Sequence, residues 1–323
     1  MNEAEPSGQA DMSAACPNTW LAVAFSEEVK PASVVTTKLA GQDIVLYRTN
    51  GGELRAVNPH CPHLGAHLGR GGSVEGELII CPFHRMAFAS DGTCIRTGWG
   101  APAPKIRLTT HPVQERNGLV LVWHHAEGAP PTWEVPPVET TGFSRPSTWT
   151  GVFTAHPLDL SENTVDYQHF VALHGAQSVV ETSPIKPVKH HLMAGFTMKG
   201  FYFSWAQVNV HLNLYDPGYA AVWLEMPALG LKALEIAAWS PIGPRRMQAR
   251  KITYANIALP GALVSRLLAT ASPLLAWVIG TASVRQLKKD EEIWADRQYL
   301  PNPKVTQGDG PVPTFRRWAA QFY

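Results

Sequence analysis

Short apolar runs broken by turn residues fill the first part of the chain, from Trp20 to about Trp123. The runs SVVTTKLAG, DIVLYRTNGGELRAV, ELIICPF and LVLVW are short and predict antiparallel strands. Asn50-Gly51 lies between two strand-like runs, which predicts a tight hairpin turn. We therefore expect this part of the chain to form a small β domain.

A proline-rich stretch separates this region from the rest. In HHAEGAPPTWEVPPVETTG the prolines forbid a helix and disfavour a central strand. Beyond it, AGFTMKGFYFSWAQVNVHLNLY and AAVWLEMPA alternate apolar with polar or small residues, which predicts strands of a half-buried antiparallel sheet. Residues 159–174 predict a helix, with Ser161 as its N-cap and Glu162 in its first turn.

The length of 323 residues, about twice that of a typical domain, agrees with two domains. We expect a disordered arm over residues 1–17, a β-rich domain over 18–125 and a larger domain over 126–323. The predicted fold class is α+β, in which helices cover a twisted antiparallel sheet in the larger domain. No internal repeat is visible, which excludes solenoids and propellers.

The most apolar stretch, residues 267–280, is too short to span a membrane. It contains Pro273 and follows Arg266, whereas a spanning helix needs about 20 apolar residues. We therefore expect no transmembrane helix. A core helix is one interpretation of this stretch, and a lid over an apolar pocket or peripheral contact with a membrane is the alternative.

Charge and cysteine content exclude further classes. Lys+Arg 27 against Asp+Glu 26 gives a formal net charge of +1, so no basic surface for nucleic acid is expected. The chain begins without the basic and apolar regions of a signal peptide, and 4 cysteines are too few for a secreted disulfide scaffold. The sequence predicts a cytoplasmic protein, in which cysteines more often bind metal.

Two Cys/His pairs carry the strongest chemical signal. Cys61 and His63 form a CxH pair, Cys81 and His84 form a CxxH pair, and 17 residues separate the two. A Rieske-type [2Fe-2S] cluster takes two Cys on one iron and two His on the other, so one of each from either loop fits it. Zinc accepts the same set, although its usual spacings pair like ligands. We predict the cluster and keep zinc as the alternative.

Around these pairs, NPHCPHLGAHLGRGG and CPFHRMAFASDG resemble the Rieske family over about residues 18–125. The electron-transfer subunits of respiratory complexes in this family carry a disulfide cysteine in each loop, where this chain has Ala66 and Phe83. The resemblance therefore implies the ring-hydroxylase type of cluster domain. One departure is Arg85-Met86, since the family usually follows its second His with Gly-Trp.

A second group of candidate ligands lies in SENTVDYQHFVALHGA. Asn163, Asp166 and His169 are three residues apart and would share one side of the predicted helix. His174 lies about 140° off that face. Both imidazoles therefore reach one metal only if the helix distorts or ends between them, and Gly175 indicates an ending. Two His and one carboxylate form the facial triad of non-haem Fe(II) oxygenases.

The pattern ENxxDxxHxxxxH resembles the mononuclear-iron motif of Rieske oxygenase terminal components, which extends the resemblance to nearly the whole chain. The third ligand would come from a later carboxylate. Helical periodicity does not choose among the acidic residues of LKKDEEIWADRQYLP, which are Asp290, Glu291, Glu292 and Asp296. The ending DEEIWADRQY resembles the DxxIWxxxxY of the ketosteroid 9α-hydroxylase and cholesterol 7-desaturase branch, and on that resemblance we choose Asp290.

The resemblance implies an oxygenase that takes its electrons from another protein. A separate reductase, with or without a ferredoxin, would pass electrons from NAD(P)H to the cluster, and the cluster would reduce a mononuclear Fe(2+) that activates O2. The chain has no GxGxxG after a strand, so the nicotinamide site would lie on that partner. We expect hydroxylation or desaturation of a large apolar molecule, of which sterols are one class.

The resemblance also implies roles for two neighbouring residues and an assembly. Asp166 would bridge His169 to a cluster histidine, His63 or His84, of the next subunit in a head-to-tail homotrimer. Asn163 would contact the ligands without binding the iron. Two other classes stay open, an electron-transfer protein with the cluster alone and a zinc-stapled lipid-binding module.

Overall fold

The computed structural model of the protein describes residues 16–201, 204–257, 262–306 and 308–323, without the side chains of 262–270. Most of the arm predicted over residues 1–17 therefore lies outside the described residues. Within the most apolar stretch, residues 267–280, the side chains of 267–270 are likewise outside the description. The described residues form antiparallel sheets and a small number of helices, which confirms the predicted α+β class.

Three small antiparallel sheets make up the N-terminal half, with strand orders β1-β11-β10, β2-β3-β4-β9 and β5-β6-β7-β8. Two hydrophobic clusters fill this half, and one of them contains Cys61 and Cys81. The strands are β1 (Thr19–Phe25), β2 (Val34–Leu39), β3 (Gln42–Arg48), β4 (Leu54–Val57), β5 (Ser73–Glu75), β6 (Leu78–Ile80), β7 (Ala87–Phe88), β8 (Cys94–Arg96), β9 (Thr110–His111), β10 (Val113–Arg116) and β11 (Leu119–His124).

The hairpin predicted at Asn50-Gly51 is present between β3 and β4, but its loop is longer than a two-residue turn. The N–H of Thr49 donates to the carbonyl of Glu53 at 2.9 Å and closes this loop. Gly52 takes the left-handed conformation, with φ of 91°. The turn residues therefore mark the correct place, while the loop length differs from the expectation.

The proline-rich linker has no regular secondary structure over residues 125–146, as its prolines predict. It is nevertheless fixed to the N-terminal half. The indole N–H of Trp20 donates to the carbonyl of Trp133 at 2.8 Å, and the Trp133 ring packs beside two hydrophobic clusters. The linker therefore contributes to the packing between the two halves.

A seven-stranded antiparallel sheet forms the C-terminal half, with strand order β12-β18-β17-β16-β15-β14-β13. Helix α3 packs against β12, β17 and β18 on one face of this sheet. The strands are β12 (Ser147–Phe153), β13 (Ser178–Val188), β14 (His191–Lys199), β15 (Gln207–Asp216), β16 (Tyr219–Met226), β17 (Leu231–Gly243) and β18 (Arg246–Ile257). The helices are α1 (Pro157–Asn163), α2 (Tyr167–Ala172), α3 (Ala262–Trp294) and α4 (Val312–Ala319).

The single helix expected over residues 159–174 is wrong, because two short helices form instead. Helix α1 ends at Asn163, and Asp166 is the N-cap of α2. The Asp166 carboxylate accepts the backbone N–H of His169 at 3.3 Å. An aspartate that caps a new helix competes with continuation of the old one, so helical periodicity is broken between Asn163 and His169.

The expected N-cap at Ser161 is also wrong. His156 caps α1, and its ring accepts the backbone N–H of Leu158 at 3.2 Å. Ser161 lies inside the helix, where its hydroxyl donates to the carbonyl of Pro157 at 2.9 Å. Because the helix starts at Pro157, Glu162 lies near its end rather than in its first turn.

Helix α3 unites two segments that the sequence suggested separately, the apolar stretch and the charged run after it. Leu275 and Ile279 pack against the core of the C-terminal half. Leu274 and Trp277, in contrast, are 65% and 56% exposed. The stretch is thus part of a long covering helix. None of the described helices is long and apolar enough to cross a membrane.

A buried ion cluster holds α1 to the C-terminal end of the chain. The Arg316 guanidinium donates to Glu162 through Nε at 2.5 Å and through Nη2 at 2.9 Å, and Arg297 pairs with the same carboxylate. Burial alone would raise the pKa of Glu162, but the two guanidinium groups together hold it below its ordinary value. The cluster therefore favours the charged form of Glu162 in the folded protein.

We predict that Arg316→Met lowers the free energy of unfolding by about 3 kcal/mol, because it removes one partner of a buried charge pair. Urea denaturation followed by tryptophan fluorescence measures this. Since the folded pKa of Glu162 is lowered, its contribution is complete above its unfolded pKa of about 4.3 and is lost as the pH falls through the folded value. The difference in free energy of unfolding between the variant and the wild type should therefore become smaller as the pH falls through the folded pKa of Glu162.

The control for this prediction is Arg317→Met. Arg317 is the next residue along α4 and is exposed, and its guanidinium donates to the Thr314 hydroxyl at 3.0 Å. Its replacement should change the free energy of unfolding by less than about 0.5 kcal/mol. Equal losses in the two variants would contradict a special role for the Glu162 cluster.

Candidate metal centres

The two Cys/His loops have the same backbone construction. In each loop the cysteine N–H donates to the carbonyl five residues later, at 2.9 Å for both Cys61 and Cys81. The cysteine carbonyl accepts the N–H four residues later, at 2.9 Å in the first loop and 3.1 Å in the second. Two similar turns therefore present one Cys and one His each.

The four side chains of these loops lie close together. Cys61 and Cys81 are buried, each at 2% exposure, and the rings of His63 and His84 have their centroids 4.9 Å apart. Burial raises the pKa of the Cys61 thiol to about 11, and the neighbouring Cys81 acts in the same direction. The Nδ1 of His63 is buried, with no hydrogen-bond partner among the described residues.

These features fit a bound iron–sulfur cluster. Two neighbouring buried thiols ionise poorly by themselves, but both bind as thiolates when a metal ion is present at the site. A buried ring nitrogen without a partner is satisfied in the same way, as a metal ligand. The donor set of two Cys and two His is that of a Rieske [2Fe-2S] cluster.

Arg85-Met86, the departure from the family pattern, is accommodated locally. Arg85 has φ of 54°, matching the left-handed Gly65 of the other loop, which has φ of 75°. A residue other than glycine is destabilised by about 1 kcal/mol or more in the left-handed conformation, which explains why the family prefers Gly at this position. The Arg85 guanidinium pairs with Glu75, and Met86 is 2% exposed in the same hydrophobic cluster as the two cysteines.

An apolar rim surrounds the two loop histidines. Leu64, Phe83 and Trp99 are 65%, 62% and 58% exposed. The Trp99 ring lies with its centroid 6.3 Å from His63 and 6.1 Å from His84. Exposed apolar side chains grouped around a site are typical of a docking surface for another protein.

The second group of candidate ligands converges inside the C-terminal half. Ligand atoms of His169, His174 and Asp290 all lie within 4.8 Å of one another. Helix α2 ends at Ala172, and Gly175 follows with φ of 74°. The helix therefore ends between the two histidines, as their spacing requires, and His174 turns back toward His169.

The structure also distinguishes among the four candidate acids at the end of α3. Asp290 is 3% exposed, and its Oδ1 lies 3.0 Å from Nε2 of His174. Glu291 instead accepts the backbone N–H of Thr154 at 2.8 Å. The two remaining acids, Glu292 and Asp296, are exposed.

Hydrogen bonds fix the orientation of both imidazoles. Nδ1 of His169 donates to the backbone carbonyl of Asp166, which can only accept, so its Nε2 is left as a lone-pair donor. Nδ1 of His174 lies 3.1 Å from Oε1 of Gln286, which leaves Nε2 facing Asp290. Burial lowers the pKa of His169, which favours the neutral form that binds metals.

The role expected for the Asp166 side chain needs a correction on one point. Its backbone carbonyl, not its carboxylate, holds the His169 imidazole, while the carboxylate caps α2. Burial raises the pKa of Asp166, and nearby His169 opposes that effect. Asn163 lies at the end of α1 and lines the cavities on both sides of the group.

The geometry of this group fits a cation. Oδ1 of Asp290 is buried and makes no hydrogen bond with any described residue, although Nε2 of His174 is only 3.0 Å away. Two lone-pair atoms that face each other in a buried site are stabilised by a positive ion between them. Two His and one carboxylate are the facial set that non-haem Fe(II) enzymes use.

An apolar cavity lies beside this group. It contains about 780 Å³ of empty space, including a mouth open to solvent. The ligand group forms one part of its wall. The apolar lining comes from α1, α2, α3, the sheet and the loop after β14, namely Leu160, Phe170, Phe196, Met198, Phe201, Val210, Leu212, Val222, Leu224 and Leu287.

Sequence reasoning missed Gln286 as a functional candidate. Four residues before Asp290, it shares a face of α3 with that carboxylate, and its amide oxygen holds the His174 ring. The four-residue spacing between Gln286 and Asp290 was visible in the sequence. Whether Gln286 reaches the site depends on which face of α3 packs on the sheet, which the sequence does not show.

Comparisons with known proteins match both halves of the chain. Residues 19–107 match the Rieske [2Fe-2S] domain, and residues 122–323 match the 3-ketosteroid 9alpha-hydroxylase C-terminal domain. The cholesterol 7-desaturase of Bombyx mori is 29% identical, covering 95% of this chain and 69% of that protein. The oxygenase component of the 3-ketosteroid-9-alpha-monooxygenase of Rhodococcus rhodochrous is 25% identical, covering 94% and 83%.

Solved structures show the same fold. Dicamba monooxygenase bound to 3,6-dichlorosalicylic acid superposes with a TM-score of 0.76 at 15% identity, covering 96% of this chain and 98% of that chain. The fold and the two centres define the terminal component of a Rieske non-haem iron oxygenase. The chain belongs to the 3-ketosteroid 9alpha-hydroxylase family, whose C-terminal domain makes up more than half of it. The cluster-only carrier and the zinc-stapled module are therefore set aside.

We predict that Gln286→Leu weakens binding of Fe(2+) at the second centre by about 10–100-fold, because it removes the group that orients His174. Metal analysis after anaerobic equilibrium dialysis against Fe(2+) measures this, with cluster iron subtracted from its absorbance. Gln207→Leu, at an exposed position on β15, is the control. Unchanged iron retention in Gln286→Leu would contradict the role given to this amide.

Proposed function

We propose that this oxygenase component hydroxylates or desaturates a large apolar, sterol-like substrate, using O2 and electrons from a separate NAD(P)H-dependent reductase. The observation that carries the proposal is the buried group of His169, His174 and Asp290 in the wall of an apolar cavity. The names of the relatives, a cholesterol desaturase and a ketosteroid monooxygenase, support the substrate class.

The chain offers ligands for two metal groups. Cys61, Cys81, His63 and His84 would hold the [2Fe-2S] cluster. The facial group in the cavity wall would hold a mononuclear Fe(2+). When bound, the cluster supplies single electrons and the iron supplies open coordination positions for O2 chemistry.

The residues of the chain prepare this chemistry. The carbonyl of Asp166 and the amide of Gln286 hold each imidazole proton on Nδ1, so both rings present Nε2 without a change of tautomer. The ligands occupy one side of the site, and the apolar cavity lies beside them. The apolar cavity walls place the substrate by shape.

The apolar walls also account for binding of a large hydrocarbon. Burying a few hundred Å² of ligand surface contributes several kcal/mol at about 25 cal/mol per Å². Loss of translational and rotational freedom offsets part of this gain. A large apolar substrate therefore binds without a strongly charged anchor, whereas a small charged aromatic buries too little surface here.

We infer a head-to-tail homotrimer in which Asp166 connects the two centres of neighbouring subunits. Two features support it. The rim around His63 and His84 is apolar and exposed, as a docking surface would be. Asp166 and His169 line a second cavity together with Ile293, which is 56% exposed. A heterologous contact that closes after three copies would bring such surfaces together.

The partner and the compartment follow from the same assignment. Relatives named as an oxygenase component imply a separate reductase. All four cysteines are free, which agrees with a reducing compartment such as the cytoplasm. We propose a cytoplasmic enzyme on this basis.

We predict that the two centres are lost separately. Cys61→Ser should remove the red-brown cluster and its EPR signal, whereas His169→Ala should keep the cluster, lose the mononuclear iron and abolish turnover of sterols and ketosteroids with added reductase and NADH. Cys94→Ser is the matched control, because Cys94 is also buried in the cluster-side core but lies outside the ligand set. Full turnover in His169→Ala would refute the proposed iron site.

We predict that Asp166→Asn slows electron transfer from the cluster to the iron site while both metals are retained. Asparagine caps a helix as well as aspartate does, so α2 should stay intact. The Asp166 carbonyl that holds His169 is unchanged, but an amide cannot replace the charged hydrogen bond that the carboxylate would make to a cluster histidine of the neighbouring subunit. Stopped-flow oxidation of the reduced cluster with substrate and O2 measures the step. An unchanged rate, equal to that of exposed Asp296→Asn, would overturn the bridge.

A further inference from the structure

A connected group of three polar side chains lies at the apolar lining of the cavity, and two of them, Glu235 and Ser283, belong to that lining. Glu235 on β17 pairs with Lys251 on β18, with Oε1 and Nζ 2.7 Å apart. The hydroxyl of Ser283 on α3 donates to Oε2 of the same carboxylate at 3.1 Å. The Lys251 and Glu235 side chains are 4% and 11% exposed. We call these three residues the polar cluster.

The polar cluster lies at the junction of two cavities. Glu235 and Ser283 line the cavity that holds the metal ligands. They also line an adjoining apolar cavity, together with Lys251 and Leu287. The shared lining residues make the two cavities neighbours across the polar cluster, so a ligand in the first one can reach it.

The distance from the candidate metal site follows from the geometry of α3. Ser283 and Asp290 are seven residues apart on the face of α3 that lines the cavity. Seven residues of α-helix correspond to two turns and about 10 Å along the axis. That separation is close to the length of a fused polycyclic ring system. A substrate of that class would span from the metal ligands to the polar cluster.

The Lys251 ammonium group has more hydrogen-bond donors than the polar cluster has acceptors for it. Burial lowers the pKa of Lys251, and Glu235 opposes that effect. An ammonium group has three hydrogen-bond donors. Among the described residues, Nζ of Lys251 has the Glu235 carboxylate as its partner, 2.7 Å away, and its other N–H groups have none. A buried donor of this kind is costly unless a ligand uses it.

We propose that Lys251, Glu235 and Ser283 bind a neutral oxygen atom, a ketone or a hydroxyl, at the end of the substrate remote from the reacting carbon. This inference rests on the proposed function, since it concerns the substrate of the same cavity. A carbonyl oxygen accepts from Lys251, and a hydroxyl can also donate to Glu235, whose carboxylate Ser283 holds in place. The pair is neutral as a whole, so a carboxylate ligand would add an uncompensated buried charge.

The polar cluster would then determine regioselectivity. Apolar walls hold a hydrocarbon without fixing its position along the cavity, because hydrophobic contact is not directional. A hydrogen bond at one end fixes the register of the ring system. The carbon about 10 Å away along α3 is then the one placed beside the metal ligands.

The test compares two ligands that differ in one oxygen, androstan-3-one and its hydrocarbon androstane. Equilibrium dialysis of the holoenzyme, with cyclodextrin as common carrier, gives both dissociation constants. We expect the wild type to bind the ketone about ten-fold or more tightly, as for a hydrogen bond to a charged group. The double variant Glu235→Met with Lys251→Met should lose this preference and still fold, since apolar replacement of a buried ion pair is tolerated.

The matched control is Glu225→Met with Lys232→Met. These residues form a cross-strand pair on the same sheet, 2.9 Å apart, but their side chains are 36% and 61% exposed. This variant should keep the ten-fold preference. Ser283→Ala leaves the ion pair intact and should reduce the preference partially, which keeps the test decisive if the double variant does not fold.

Several outcomes would overturn the proposal. Equal affinity of the wild type for both ligands, no binding of either, or a full preference in the double variant would each show that the polar cluster does not bind ligand oxygen. If iron loading and turnover of other apolar substrates are normal in that case, the proposed function stands and this inference alone fails. Absence of iron from the wild-type site would instead refute the proposed function.

Discussion

The helix break at Asp166 is the constraint on which the second centre depends. Its carboxylate starts α2, and its carbonyl holds the imidazole of His169, so one residue sets both the backbone and the ring orientation. Gly175 then reverses the chain and brings His174 to the same place. A continuous helix would have separated the two rings by about 140° around its axis. The Glu162 cluster keeps α1 in place beside this break.

Helix α3 provides the other half of the site from a single element. Ser283, Gln286 and Asp290 recur at three- and four-residue spacing, so one face of α3 contributes to the polar cluster, orients His174 and supplies the carboxylate. Because all three belong to one helix, their separations are fixed by backbone geometry. Movement of α3 relative to the sheet would displace Asp290 and Ser283 together, while Glu235 and Lys251 would stay with their strands.

The sequence predicted the two centres with different success for a physical reason. The cluster loops are local, since each presents one Cys and one His within four residues, and spacing alone identifies them. The site around Asp290 is assembled from distant segments. Periodicity left four acids open there, and resemblance to a family chose the one that the structure buries. The sequence suggested antiparallel strands but not their order in the sheet.

The helix break and the polar cluster could not be predicted in the same way. Asp166 fits a helix interior by spacing, and its capping role appears only once the chain around it is folded. Glu235 and Lys251 occur in separate strands, so their contact depends on the pairing of β17 with β18. In the sequence, the one indication of the polar cluster was a lysine within the strand sequence ARKITYAN. Its partner depends on strand register, which local pattern does not determine.

Strand β18 connects the cavity to the cluster half of the molecule through two consecutive cations. Side chains alternate between the faces of a strand, so Arg250 and Lys251 point in opposite directions. The guanidinium of Arg250 donates to the carbonyls of Ala22 and Val23 on β1 at 3.0 and 2.6 Å, while Lys251 pairs with Glu235 beside the cavity. The strand that forms part of the substrate site is thus also bonded to the sheet of the iron–sulfur half. Because both contacts are buried, the cavity and the cluster half are held in a fixed relation within one subunit.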